Sequence, residues 1–213
     1  MRRLSIAVGV VVSLLLAFGS IASAGGPVPF GPTIGPLDPF QFGLGALATW
    51  ARDAGKPSLD LWDPDQYGLY LQKGTATTSY AAAGADIKVK NLPATKLTVL
   101  SFDISGVSGV GFDDFGGTSH GYCGAGAPRF NVVSTAGTCF LGCTYGSKTQ
   151  DPATGWWTIN FASPFTQYPG CDLVGVSGTV TGISIILDEG IDIGPGNVVL
   201  DNIRVNNTVF KKP

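Results

Sequence analysis

Short runs in which apolar and polar residues alternate are the feature that most constrains the fold of this chain. Because successive side chains of a strand point to opposite faces, such runs predict half-buried antiparallel strands. Gly, Pro, Asn and Asp separate the runs, as turns between strands require. Eight to ten strands without helical periodicity predict an all-β protein, an antiparallel two-sheet β-sandwich. The runs centre on Leu69 and Leu71, Ile87 and Val89, Leu100 to Ile104, Phe130 and Val132, Cys139 to Cys143, Trp157 to Phe161, Ile183 to Leu187, and Val198 to Asn206.

The stretch before this pattern differs in composition. Residues 25–57 are rich in proline and glycine and predict an irregular N-terminal arm, and the sandwich domain is expected over residues 58–213. The arm can hold one short helix, with Asp38 as its cap, Pro39 in its first turn and Gly55 after its end. Gly43 and Gly45 weaken that helix.

Residues 1–24 have the layout of a secretory signal peptide. Arg2 and Arg3 are followed by an uncharged apolar run, which leads into Ala22-Ser23-Ala24. The run is shorter than the roughly 20 residues that a transmembrane helix needs. We therefore expect a secreted, extracellular protein that begins at Gly25 and has no membrane span once the signal is removed.

The charge balance excludes some classes of partner and limits the available chemistry. Charged residues make up 13% of the chain and the net charge is −2, so a nucleic-acid binder with a cationic stripe is not expected. The chain has one histidine, His120, and one glutamate, Glu189. Chemistry that needs several histidines or a pair of glutamates is therefore excluded.

A hydrolase acting on extracellular polysaccharides is the alternative that remains among enzymes. It would use a pair of aspartate carboxylates, such as Asp113 with Asp114 or Asp103, or it would use His120 as a base. Asp113 and Asp114 lie in a glycine-rich stretch, which is more typical of a solvated loop. No catalytic residue is therefore assigned, and the enzyme question stays open with a preference against catalysis.

The four cysteines predict two disulfide bonds. An even number of cysteines in an exported chain is typical of a disulfide framework, although the spacing of Cys139 and Cys143 would also suit zinc. A strand would hold those two about 13 Å apart, which is too far for a bond between them. Two pairings remain, and we favour Cys123–Cys143 with Cys139–Cys171.

The closing segment carries a family resemblance. Asp201-Asn202-Ile203 follows a Gly-Pro-Gly-Asn turn in the last apolar run, and this arrangement resembles jelly-roll domains of the carbohydrate-binding-module and galactose-binding-like type. The resemblance implies a two-sheet sandwich that binds glycans or serves as an accessory module. It also implies a structural calcium ion near the closing strand.

Calcium is the metal that the residue types favour. Asp188, Glu189 and Asp192 precede the closing strand, and carboxylate oxygens are ligands that calcium prefers. A regular pleat would place Asp201 on one face with Val199, Ile203 and Val205, where a carboxylate must be paired, hydrogen-bonded, bound to metal or moved outward by a bulge. We expect either calcium near Asp188, Asp192 and Asp201, or hydrogen bonds that hold Asp201 without a metal.

Aromatic residues offer a surface for sugars. If Trp157 faces the core, alternation places Trp156 toward solvent, with Tyr145 and Tyr168 in flanking loops. Such rings can stack on sugars, or they can cover the edge of the core. The sequence predicts a secreted non-catalytic binding module or a surface or matrix protein that recognises a polysaccharide or cell-surface glycan. A structural secreted protein without a ligand is the remaining alternative.

Overall fold

The computed structural model describes residues 31–57, 66–73, 81–105, 123, 127–171, 177–188 and 196–211. In these ranges the chain forms β-strands and two short 3₁₀ helices, Ala94–Lys96 and Phe165–Gln167, with no α-helix. The strands are β1 (Thr33–Phe42), β2 (Leu47–Ala51), β3 (Gly68–Lys73), β4 (Ala82–Lys90), β5 (Leu92–Pro93), β6 (Val99–Ile104), β7 (Arg129–Ser134), β8 (Gly137–Gly142), β9 (Ser147–Gln150), β10 (Trp157–Ala162), β11 (Thr179–Leu187), β12 (Gly196–Val205) and β13 (Thr208–Phe210).

The strands form two antiparallel sheets. Sheet A has the order β1-β4-β11-β7-β8, and β5 also pairs with β11. Sheet B has the order β2-β3-β12-β6-β10-β9, and β13 also pairs with β12. The two inner faces share one core of buried apolar residues. The predicted all-β sandwich is therefore confirmed.

The connectivity is that of a jelly roll. Strands β4-β11-β7-β8 of sheet A stack against β3-β12-β6-β10 of sheet B. In chain order these eight strands pass from one sheet to the other at every step except the β7–β8 hairpin. This alternation of eight strands between the two sheets is typical of a jelly roll.

Three phenylalanines from both sheets hold the centre of the sandwich. Phe102 and Phe161 lie on neighbouring strands of sheet B, and Phe130 lies on β7 of sheet A. The ring of Phe130 is 5.6 Å from that of Phe102 and 6.2 Å from that of Phe161. All three are fully buried, so the inward positions of the predicted alternation form the core.

The closing strand departs from regular alternation. The pairing of β12 with β6 shifts between Asp201 and Arg204, and Asn202 has a positive φ of 45°. This bulge reverses the phase of the strand. Asp201 lies opposite Asp103 on the outer face, while Ile203 lies in the core. A bulge, one of the alternatives for an aspartate in phase with apolar neighbours, therefore moves Asp201 off the apolar face.

The N-terminal segment is more ordered than the sequence predicted. β1 and β2 lie inside the range expected to be an irregular arm, and they form one edge of sheet A and one edge of sheet B. The helix after Asp38 does not form. Edge position explains how β1 accommodates Pro36 and Pro39, because a proline lacks the N–H that an interior strand must donate. Pairing with β4 and β3 thus outweighs the local helix signals.

The structure contains both favoured disulfides. Cys123 is bonded to Cys143, and Cys139 to Cys171. All four residues are buried in the core cluster. The second bond ties β8 to the segment before β11 across 32 residues of sequence.

Candidate functional site

The outer face of sheet A presents an ordered row of side chains. Residues that lie directly opposite one another on antiparallel strands share a face. The register therefore places one residue from each of the five main strands in a continuous row. We call this row the sheet A row. Its members are Asp38, Asp86, Ser184, Asn131 and Phe140.

The row ends in an exposed aromatic ring. Phe140 on the edge strand β8 is 45% exposed. Its neighbours in sequence, Cys139 and Leu141, are buried, so alternation turns the Phe140 ring outward. An exposed ring beside amide and hydroxyl groups can contact the apolar face of a flat ligand while those groups form hydrogen bonds.

A groove crosses the row along β11. Its volume is about 300 Å³, and it is lined by Asp86, Ile87, Lys88, Val133, Thr181, Gly182, Ile183 and Ser184. Gly182 leaves the groove open because it carries no side chain. An added Cβ at Gly182 would have Val133 Cβ as its neighbour, at 3.9 Å. A larger residue at this position would therefore fill the groove without a backbone clash.

Arg129 is fixed beside Phe140 by several contacts. Its guanidinium donates two hydrogen bonds of 2.5 Å to the carboxylate of Asp188, and its Nε donates to Asn131 Oδ1 at 3.0 Å. The guanidinium carbon also lies 5.7 Å from the centre of the Phe140 ring. Because Oδ1 of Asn131 is engaged, its Nδ2 is the group that can donate to a ligand.

Charges at the other end of the row interact with one another. Lys88 Nζ lies 2.6 Å from Asp38 Oδ2, and this hydrogen bond and charge raise the pKa of Lys88. Partial burial and the nearby charge of Asp38 raise the pKa of Asp86. Asp86 is thus a carboxylate in the groove wall that gains a proton more readily than an isolated aspartate.

The aromatic residues expected to bind sugars have different environments. Trp156 is only 4% exposed, so the expectation that it faces solvent is wrong, whereas Trp157 packs on the core as expected. Tyr168 stacks edge-on against Phe161, and its hydroxyl accepts a hydrogen bond from a backbone amide. Tyr145 is exposed in the turn after β8. Only Tyr145 of the three predicted residues therefore offers an exposed ring.

The carboxylates expected to bind calcium have protein partners. Asp188 is paired with Arg129. Asp201 accepts hydrogen bonds from the backbone N–H of Lys56 at 2.8 Å and of Asn202 at 2.6 Å. Asp192 lies outside the described residues, and within those residues no group of three or more His, Cys, Asp or Glu could hold a metal ion. Hydrogen bonds account for Asp201, and calcium stays a prediction.

A second polar cluster lies on the outer face of sheet B. Asp103 accepts hydrogen bonds from Lys56 Nζ at 3.1 Å, Thr158 Oγ1 at 2.5 Å and Asn202 Nδ2 at 2.9 Å. Lys56 Nζ also lies 3.5 Å from Asp151. Burial lowers the pKa of Lys56, but its contacts with Asp103 and Asp151 outweigh burial and raise it. These hydrogen bonds and ion pairs hold Lys56, in the segment after β2, against the outer face of sheet B.

Asp103 and Asp201 lie opposite each other in the register, and glycoside hydrolysis uses two neighbouring carboxyl groups. Both are buried, and both accept several hydrogen bonds from protein groups. This pair is therefore bound by the protein itself rather than exposed to a substrate. The alternative catalytic residues Asp113, Asp114 and His120 lie outside the described residues.

Comparisons with known proteins give fold similarities only. The sequence matches no protein-family model and no curated protein sequence. One similar solved structure is the family 11 carbohydrate-binding module from Clostridium thermocellum in complex with a β-1,3-1,4-mixed-linked tetrasaccharide. The two sequences are 15% identical, the TM-score is 0.44, and the match covers 82% of this chain and 95% of that chain. Another is the family 11 module of a cellulosomal cellulase from the same organism, with 16% identity, a TM-score of 0.41, and coverage of 79% and 86%. No helix among the described residues is long and apolar enough to cross a membrane.

Proposed function

We propose that this protein is an exported, non-catalytic module that binds a polysaccharide on the outer face of sheet A. The observation that carries the proposal is the sheet A row, in which an exposed ring, an amide, a hydroxyl and carboxylates line up across five strands. A sugar offers an apolar C–H face and many hydroxyls. The ring of Phe140 can stack on the C–H face. Asn131, Ser184 and Asp86 can form hydrogen bonds with the hydroxyls.

The fixed geometry of Arg129 supports this proposal. Its bonds to Asp188 and Asn131 hold the amide of Asn131 in place before a ligand arrives. A side chain that is already ordered loses less conformational entropy on binding. Arg129 therefore acts as a positioning residue for the sugar-binding face.

The charges favour a neutral polysaccharide over an acidic one. Among the residues that line the groove, Lys88 is the only cation, and it is paired with Asp38. Arg129 is likewise paired with Asp188. A uronate chain in the groove would meet the carboxylate of Asp86 without an unpaired cation to balance it, and like charges brought together oppose binding.

Export rests on residues 1–24 and is part of the same proposal. The charged start, the apolar run and Ala22-Ser23-Ala24 form a signal sequence, and two buried disulfides suit an oxidising compartment. Expression of the full chain in a secreting host, followed by N-terminal sequencing, should give a protein that begins at Gly25. Retention of Met1 in the cell-associated fraction would contradict export.

Affinity electrophoresis in gels containing soluble polysaccharides tests the binding. We expect retardation by at least one neutral chain among mixed-linkage glucan, xylan and galactomannan, and none by alginate or pectate. Phe140→Ala should weaken binding at least tenfold, about 1.4 kcal/mol, because it removes the exposed ring. Gly182→Val should also weaken binding at least tenfold, because the added side chain fills the groove. Valine is chosen because a β-branched residue is compatible with a strand.

A matched control separates binding from stability. Val209 on β13 is 44% exposed, almost the same as Phe140, but it lies on the other sheet. Val209→Ala should leave both binding and the unfolding midpoint unchanged. Binding that survives both Phe140→Ala and Gly182→Val would refute this site, and release of new reducing ends by the purified protein would contradict the non-catalytic assignment.

A further inference from the structure

The connection between β1 and β2 exposes an unusual amount of apolar surface. We call residues 42–47 the β1–β2 tip. Leu44 is 83% exposed, Phe42 55% and Leu47 39%. The sequence between Asp38 and Arg52, residues 39–51, contains no charged residue. Three large apolar side chains are therefore exposed on one chain segment that has no charged residue.

Hydrogen bonds satisfy polar backbone groups of this tip from within the protein. Ala46 N–H donates to the carbonyl of Gly43 at 3.4 Å, and Gln72 Nε2 donates to the carbonyl of Gly45 at 3.2 Å. The Ala48 N–H donates to Gln41 Oε1 at 2.7 Å. A backbone group without a partner is costly to place in an apolar medium. These internal bonds lower the cost of moving the tip out of water.

The size and charge of the tip point to one kind of partner. A stable protein–protein interface buries about 800 Å² on each partner, and three side chains on a narrow turn cover much less. A lipid surface accepts apolar side chains one at a time and needs no matching shape. Because the tip carries no cation, anionic lipid headgroups would add no attraction.

We propose that the β1–β2 tip inserts Phe42, Leu44 and Leu47 into the interfacial region of a lipid bilayer. This inference does not depend on the sugar-binding face, since the tip joins the edge strands β1 and β2. The association is weak and reversible, at most about 10⁴ M⁻¹, which is the value for a single myristoyl chain.

Co-sedimentation with phosphatidylcholine vesicles tests the inference. The exported protein should sediment with the vesicles, and Leu44→Asp should reduce that fraction at least tenfold. Because Leu44 is almost fully exposed, this change should leave the unfolding midpoint unaltered. Val209→Asp introduces the same charge at an exposed apolar position on β13 and should bind vesicles like the parent.

A fluorescent variant gives a second readout. Leu44→Trp should keep vesicle binding, and its emission should shift to shorter wavelength with vesicles because the indole leaves water. No sedimentation of the parent with vesicles would overturn the inference. Dimerisation in analytical ultracentrifugation that Leu44→Asp abolishes would overturn it in favour of a second copy of this chain. Neither result would affect polysaccharide retardation, so the two proposals can fail separately.

Discussion

Replacement of Asp201 by asparagine tests what holds a buried carboxylate in this fold. Asp201 is 2% exposed and accepts backbone hydrogen bonds from Lys56 and Asn202. Asparagine keeps one oxygen but turns an NH₂ group toward the other donor. An unsatisfied buried N–H costs about 1–3 kcal/mol, and a neutral acceptor gives up about 1 kcal/mol relative to a carboxylate.

Relief of repulsion from Asp103, which lies opposite in the register, offsets part of this cost. We therefore expect Asp201→Asn to lower the free energy of unfolding by about 2 kcal/mol, which for a chain of this size lowers the melting temperature by about 4–8 °C. The assay is thermal unfolding followed by circular dichroism, with calcium chloride or with EDTA. Asp53→Asn, at an exposed position 3.9 Å from Arg52, is the matched control and should change stability by less than about 0.5 kcal/mol.

The two solution conditions separate hydrogen bonding from calcium. If protein donors hold Asp201, the difference between parent and variant is the same with and without the chelator. A difference that vanishes in EDTA would refute this reasoning and assign Asp201 to a metal ion. A melting temperature of the parent that falls on chelation, with the difference unchanged, would place calcium elsewhere in the chain.

Three further predictions concern stability. The contacts of Lys56 with Asp103 stabilise the fold below the ordinary lysine pKa of 10.5, and this stability is lost as pH rises through the raised pKa. The free energy of unfolding measured with urea should therefore fall in alkali for the parent, and fall less for Lys56→Met. Since burial and the charge on Asp38 raise the pKa of Asp86, ionisation of Asp86 destabilises the fold above the ordinary pKa of 3.8. Asp86→Asn should therefore stabilise the protein at pH 7 and have no effect below the ordinary pKa, where the carboxyl group is protonated in both states. Urea unfolding at one pH on each side would measure this. Serine at both Cys139 and Cys171 should cost about 3–4 kcal/mol in the same assay, because the bond closes a loop of 32 residues.

Much of the fold could be predicted from local patterns. Alternation at Leu100 to Ile104 and at Trp157 to Phe161 identified strands and their inner faces, because burial on one side of a pleated strand imposes a period of two. The same geometry narrowed the disulfide pairing to two possibilities, since a strand cannot join Cys139 to Cys143, but the choice between them depended on contacts across 20 and 32 residues. The strands and their inner faces depend on residues close in sequence, whose alternation the backbone geometry fixes.

The site depended on pairings between distant strands. The row from Asp38 to Phe140 draws on β1, β4, β11, β7 and β8, and no local pattern shows that these strands are neighbours. Alternation with Cys139 and Leu141 could have identified Phe140 as an outward-facing residue. Its exposure points to a site only because Asn131 and Arg129 lie beside it. Register, which is a property of the whole sheet, decided this site.

Two errors have the same physical origin. Local signals after Asp38 favoured a helix, but β1 joined the edge of sheet A, because pairing with a neighbouring strand satisfies backbone groups and buries apolar surface that an isolated short helix cannot. Alternation predicted Trp156 to be exposed, yet it is buried. The sequence by itself determined the periodicity and so the strands, whereas only the tertiary structure decided which outward-facing residues remain in contact with water, since that depends on what other segments pack over them.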